Sequence, residues 1–372
     1  MRYRRFTLYH TIEITLKCEE CIFYELLDTG FFHFVRDDKG KIKHGFLELS
    51  QGAELEKVGI NHLSVRMVKT QSNTGAFSFT FLVMQFNPAK LLGMPLYSIC
   101  TGEETDAIYN AFSDVVPGLF GGIKHPLSGD LDRWRLSRID YAYNLNLYEL
   151  GVPRCTVATT LYTDLLKKGK RPPGHLPPYN GKGSIYSGKR SKSGGIISTL
   201  NIYSKLNQAW DYLTKFPFEA CERLNNSQNI LRCEVQCHNK KMNNYSRSNK
   251  ARLPDRTLRT WASCETAEKI VLGAVAQFEI DATYRTYSEA IKRIESSDIH
   301  SNRKIRLKEI VKGTSKSKGN LQRWKAENPA RFRRDMEWFT ANDTNPVTIP
   351  ARYEIQALPS VTSLLKRTIG KQ

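Results

Sequence analysis

Three observations predict an α+β fold, a mainly antiparallel β-sheet with flanking helices plus a helical C-terminal region. The first half of the 372-residue chain alternates apolar and polar residues with period two, in short runs separated by turn signals. In the middle, a strand-like run is followed directly by apolar residues at helical spacing. The last quarter reads as mostly helical and strongly basic.

Residues 6–17, 31–36 and 43–49 read as strands, the last two joined into a hairpin by the turn Asp37-Asp38-Lys39-Gly40. A second hairpin pairs Leu63–Thr70 with Ala76–Phe86 around Ser72-Asn73-Thr74-Gly75. Asn87-Pro88 then opens a helix, because asparagine caps well and proline is tolerated in a first turn. A helix over Glu104–Val115 precedes a Gly/Pro loop. Leu136–Leu145 reads as a strand, and Pro153 starts a helix in which Val157, Leu161 and Leu165 share one face. Strands at Gly183–Ser187, Ser198–Ser204 and Ile230–Gln236 complete an expected domain over residues 1–280. A second, basic helical region is expected over residues 281–372.

The formal charge is +19, far beyond what solubility asks for, and it points to a polyanionic partner. Nucleic acid is favoured over a membrane surface, since the basic residues are dispersed among polar and aromatic ones. The strongly apolar runs around Phe81–Met84 and Ile270–Ala276 are too short to span a bilayer. The basic N-terminus alternates like a strand and lacks a small-residue cleavage site, so a cytoplasmic protein is expected. Eight basic residues and no acidic one lie between Lys167 and Lys192, a basic loop and hairpin. Between Ser301 and Thr340, twelve Lys and Arg face four acids, with Trp324, Phe332, Trp338 and Phe339 among them. That pattern suits a DNA-binding unit, with a solvated helix face over a local aromatic core as the alternative.

Eight cysteines in a chain this long form no disulfide framework. Cys18-x-x-Cys21 and Cys233-x-x-x-Cys237-His238 have zinc-like spacing, but they lie more than two hundred residues apart on apparent strands. His33, His125 and His175 form no His-x-His pair, so a histidine-based metal site is not expected.

The chemistry-bearing residues lie on three strand-like segments, where residues i and i+2 share a face. Arg138 accompanies Asp140, Tyr203 accompanies Lys205, and Arg232 accompanies Glu234. Taken singly, each pair is more often structural. Together in a basic chain, they suit phosphoryl transfer. Asp140 and Glu234 would hold Mg²⁺ or Mn²⁺ through hard oxygens, and the metal would polarise a scissile phosphate. Tyr203 would be the nucleophile, with Lys205 favouring the phenolate. The product would be a 5′-phosphotyrosyl bond with a free 3′-OH. Tyr186, in a basic turn with Lys189, Arg190 and Lys192, is the rival nucleophile. Arg138, Arg232, Lys240, Lys241, Arg247, Lys250 and Arg252 are further candidates for DNA phosphate contact.

The runs Asn87-Pro88-Ala89-Lys90-Leu91-Leu92-Gly93, Ser137–Asp140, Thr199–Lys205 and Leu231–Glu234 stand in an order that resembles the gene II replication initiators of filamentous bacteriophages. They are also similar to the initiators of rolling-circle plasmids, whose basic turn before an Arg-x-Tyr-x-Lys strand looks like Gly188–Ser191 before Tyr203 and Lys205. The resemblance covers roughly residues 80–240 and only weakly the tail. It implies an endonuclease that nicks one strand of supercoiled origin DNA, stays bound through tyrosine and rejoins displaced single strands in a bacterial host cell. The phage pattern carries the nucleophile onto Tyr203, and the plasmid pattern keeps Tyr186 in play. Implied partners are double- and single-stranded origin DNA and a host helicase and polymerase, with no membrane and with a homodimer left open. The basic loop and the last third depart from the phage pattern, which puts origin recognition in question. The alternatives are a non-catalytic DNA-binding repressor or replication accessory protein, and an RNA-binding module.

Overall fold

The computed structural model describes residues 8–27, 31–36, 42–48, 52–72, 75–94, 98–119, 124–172, 175, 184–192, 194–213, 224–225, 227–247, 253, 255–316 and 319–369. The turn at residues 37–40, together with Asn73, Thr74, Lys182, Lys250 and Arg252, lies outside that set. The chain is a mixed α+β protein whose C-terminal region is helical. Its described residues fall into two compact units, one of residues 6–141 and 236–267, the other of 142–235 and 268–372.

In the first unit, strands β1 (Leu8–Cys18), β2 (Phe31–Arg36), β3 (Ile42–Glu48), β4 (Ile60–Ser72) and β5 (Gly75–Phe86) run in the order β2-β3-β4-β5-β1. The first half of β6 (Arg135–Asn146) follows β1. The alternation seen in the sequence becomes the register: Ile12, Ile14 and Leu16 pair with Phe86, Met84 and Leu82. Leu63 and Val65 on β4 pair with the same Met84 and Leu82, and all eight side chains are buried. This apolar face meets an aromatic chain. Phe86 stacks 5.7 Å from Phe112 of α4 (Thr105–Val115), and Phe112 meets Trp134 edge-on at 5.7 Å. Helices α1 (Glu20–Leu27) and α2 (Gly52–Lys57) bury Leu26 and Leu55.

Between α2 and β4, Gly59 has φ +83°, and a Cβ there would sit 2.7 Å from the Leu91 amide nitrogen. Only glycine serves both needs. Leu91 ends α3 (Pro88–Leu91), which the expected Asn-Pro start opens: Asn87 Oδ1 accepts from Ala89 N at 3.0 Å and Lys90 N at 3.3 Å.

In the second unit the strand order is the second half of β6, then β9 (Ile230–His238, up to Val235), β8 (Ile196–Ser204) and β7 (Ser184–Arg190). Helix α5 (Cys155–Lys168) covers one face of β7 and β8, burying Leu161, Tyr162, Leu165 and Leu166 with Ile185, Leu200 and Ile202. It starts two residues later than expected. Arg154 is left-handed at φ +47°, so the helical turn begins at Cys155 and not at Pro153, and Val157 is exposed.

The end of α5 is tied to the C-terminal helices: Lys168 Nζ donates to Thr314 O and Lys316 O, both at 3.0 Å. Those helices follow α8 (Leu258–Trp261) and α9 (Cys264–Val275) in the chain and are α10 (Tyr287–Ser296), α11 (Ser301–Ser315), α12 (Gln322–Glu327), α13 (Pro329–Ala341) and α14 (Val361–Ile369). The short strands β10 (Tyr284–Arg285) and β11 (Ala357–Leu358) pair antiparallel among them.

Candidate active site

In the second unit, β8 ends at Ser204, and the next residue opens α6 (Lys205–Leu213). Lys205 is therefore helical, which corrects its expected place on the strand. The cause is local: Ser204 Oγ accepts from the Asn207 amide at 3.4 Å, an N-cap bond that ends the strand. Lys205 nonetheless stays near Tyr203, its Nζ 5.8 Å from the ring centroid, and donates to Gln208 Oε1 at 2.6 Å.

Tyr203 is 6 % exposed and its hydroxyl donates to Glu234 Oε2 at 3.3 Å. Burial raises its pKa far above the ordinary phenol value; the Arg232 charge opposes that shift, and the Glu234 charge adds to it. Arg232 is fully buried, and its Nε donates to Asn144 Oδ1 on β6 at 2.8 Å. A buried polar network thus joins β6, β9, β8 and the start of α6.

Tyr186 lies on β7 opposite Asn201, while Ser184 lies opposite Tyr203. Paired residues of an antiparallel ladder share a face, so both tyrosines are on the side away from α5, where Ser204 meets Thr159. The two phenols differ in access: Tyr186 is 41 % exposed. Further along the strand, Lys189 pairs with Ser198 and so lies half-buried on the opposite face, while Arg190 and Lys192, at the strand end and just after it, are exposed. Arg190 Nη1 closes the following turn on Gly194 O at 2.8 Å.

In the first unit, Asp140 is buried, and Arg138 grips it with two parallel bonds, Nε to Oδ1 at 2.7 Å and Nη2 to Oδ2 at 2.5 Å. Next to it on β6, Ser137 Oγ donates to Glu13 Oε1 on β1 at 2.7 Å. His238, the last residue of β9, has its imidazole pKa lowered by burial and by the Arg138 charge, with Glu13 opposing. Its Nε2 is buried without a hydrogen-bond partner. Lys240, Lys241 and Arg247 lie on α7 (Asn239–Arg247), with Lys240 and Arg247 exposed and Lys241 half-buried.

Sequence reasoning missed Asn144, Glu13 and His238 as members of these clusters. The i, i+2 rule held the signal for two of them: Asn144 continues the Arg138-Asp140-Ala142 face, and His238 continues the Glu234-Gln236 face. Glu13 on the distant strand β1 had none.

Asp140 and Glu234 are hard oxygen donors of the type that suits Mg²⁺ or Mn²⁺. Both oxygens of Asp140 are engaged by Arg138, and among the described residues no group of three or more His, Cys, Asp or Glu is arranged to hold a metal ion. No helix among the described residues is long and apolar enough to cross a membrane.

No protein-family model and no curated protein matches the chain. Among solved structures, a rolling circle replication initiator protein from Geobacillus stearothermophilus aligns over 73 % of this chain and 85 % of that one, at 12 % identity and a TM-score of 0.29. A superposition of that quality does not by itself define a shared fold.

Proposed function

We propose that this chain is a rolling-circle replication initiator that nicks and rejoins one DNA strand by tyrosine transesterification. The observation that carries the reading is an exposed phenol, Tyr186, on the same sheet face as a buried Tyr203-Glu234-Arg232 network, with Arg190 and Lys192 exposed at the end of the same strand and just after it. A nucleophile must reach its phosphate, so the accessible phenol is assigned the attack. Tyr203 and Glu234 become the buried support on which β8 and β9 are held.

In the proposed reaction the Tyr186 phenol loses its proton to solvent, and its oxygen attacks phosphorus. The bond from phosphorus to the 3′-oxygen breaks, that oxygen takes up a proton as a free 3′-OH, and a 5′-phosphotyrosyl ester remains. The reverse attack by a 3′-OH rejoins the strand. Arg190 and Lys192 bind phosphate oxygens and set the backbone against the phenol. Mg²⁺ or Mn²⁺ is the proposed cofactor, each of Asp140 and Glu234 a candidate ligand within its own unit, and when bound it would screen charge on the transferred phosphoryl group.

The test is incubation with a supercoiled plasmid carrying the DNA that flanks this chain's coding sequence, with Mn²⁺ or Mg²⁺. Nicked circles and a protein–DNA adduct stable to denaturant are expected. Binding without either product would replace the reading with a non-catalytic DNA-binding repressor or accessory protein.

A further inference from the structure

We infer that the outward face of α13, carrying Arg331, Arg333 and Arg334, contacts the phosphate backbone of double-stranded DNA. The inference rests on the DNA substrate of the reading above and not on its chemistry.

Helix α13 buries one of its two acids and leaves the other, Glu337, exposed one turn after Arg333 and Arg334. Phe332, Met336, Trp338 and Phe339 are buried, and so is Asp335, 2 % exposed. Arg306 of α11 grips that carboxylate through Nε to Oδ2 at 2.9 Å and Nη2 to Oδ1 at 2.5 Å. That acid is paired inside, so the exposed side keeps three arginines against the single carboxylate of Glu337. Arg331, Arg333 and Arg334 are exposed, and among the described residues none of the three is in an ion pair with a carboxylate. Glu337, three and four residues after Arg334 and Arg333, offsets part of the repulsion among the arginines, and a net positive charge remains on this side.

The face is also held in place. Asn328 Oδ1 caps the helix by accepting from Arg331 N at 3.0 Å, and Arg303 Nη2 of α11 donates to Arg334 O at 3.0 Å. On α12, Arg323 is exposed but donates from Nε to Glu327 Oε1 at 2.9 Å, so the pair adds no net charge to this face. Guanidinium forks match phosphate oxygens, and a face built on a packed helix presents them in fixed geometry. No large apolar side chain is exposed on α13, so the face lacks what a membrane-surface helix inserts.

The test is fluorescence anisotropy of the full chain on a labelled duplex across a KCl series. The variants are Arg331→Ala/Arg333→Ala/Arg334→Ala and a control, Arg352→Ala/Arg367→Ala, which removes exposed basic residues elsewhere in the same unit. Circular dichroism checks that each variant melts as the wild type does; the three single Arg→Gln variants serve if the triple variant does not. The triple variant is expected to lose about tenfold or more in affinity, with a log K against log[KCl] slope shallower by roughly two to three, since each neutralised phosphate contributes about 0.9. Each single variant should flatten the slope by about one. The control should change little. A triple variant that binds with the wild-type slope, or a control that loses as much, would overturn the inference while leaving DNA binding intact. Failure of the wild type to bind duplex would instead overturn the DNA reading itself.

Discussion

The Tyr203 hydroxyl donates to Glu234 Oε2 at 3.3 Å inside the sheet, and the burial that allows this bond keeps the phenol from solvent. The bond ties β8 to β9, and on the proposed reading Tyr203 is a strut while Tyr186 meets the phosphate. Removing its hydroxyl should cost about 1 kcal/mol, the usual net worth of one hydrogen bond. Thermal melting of Tyr203→Phe should show a small downward shift. A variant as stable as the wild type would show that the bond contributes nothing.

Arg138 and Asp140 form a fork around a buried carboxylate. Arg138→Ala strands that charge and should destabilise the fold by roughly 3 kcal/mol in urea unfolding. The double variant Arg138→Met/Asp140→Leu should recover most of the loss, because a well-packed apolar pair often replaces a buried ion pair at little cost. If the double variant is no better than the single, the cost comes from lost packing and not from the stranded charge.

Glu279 is fully buried and receives hydrogen bonds from Tyr284 OH at 2.9 Å, Val361 N at 3.2 Å and Thr362 N, the last two at the start of α14. Burial raises its pKa from 4.5 to about 7, partly offset by those donors. The folded state then holds a proton that the unfolded chain has released. Stability must fall as pH rises from 4.5 to about 7, on the order of 1 kcal/mol per unit, and level off above that. Urea midpoints at a series of pH values should show this slope, and Glu279→Gln should flatten it; an unchanged slope in the variant would assign it to other groups.

Much of the fold was legible because short-range rules govern it. The β4–β5 hairpin follows from alternation on either side of Ser72–Gly75, and α3 follows from Asn87-Pro88. Lys205 was misplaced because the expected strand ran through Ser204 without weighing that serine as a helix cap. The candidate site was half legible. Period-two faces put Arg232 with Glu234, but exposure depends on what packs across the sheet. No local pattern says that Tyr203 is buried while Tyr186, two strand positions away in the ladder, is open. The partnership of Glu13 with Ser137 depends on pairing between strands more than a hundred residues apart, which no local rule reads.

On the proposed reading the exposed tyrosine, Tyr186, carries the DNA. Wild type, Tyr186→Phe and Tyr203→Phe should each be incubated with supercoiled substrate and Mn²⁺, digested with nuclease and protease, and the nucleotide-bearing peptide identified by mass spectrometry. A phosphotyrosyl adduct is expected on Tyr186 in the wild type, the same adduct in Tyr203→Phe, and none in Tyr186→Phe. An adduct mapped to Tyr203, or one that persists in Tyr186→Phe, would contradict that reading.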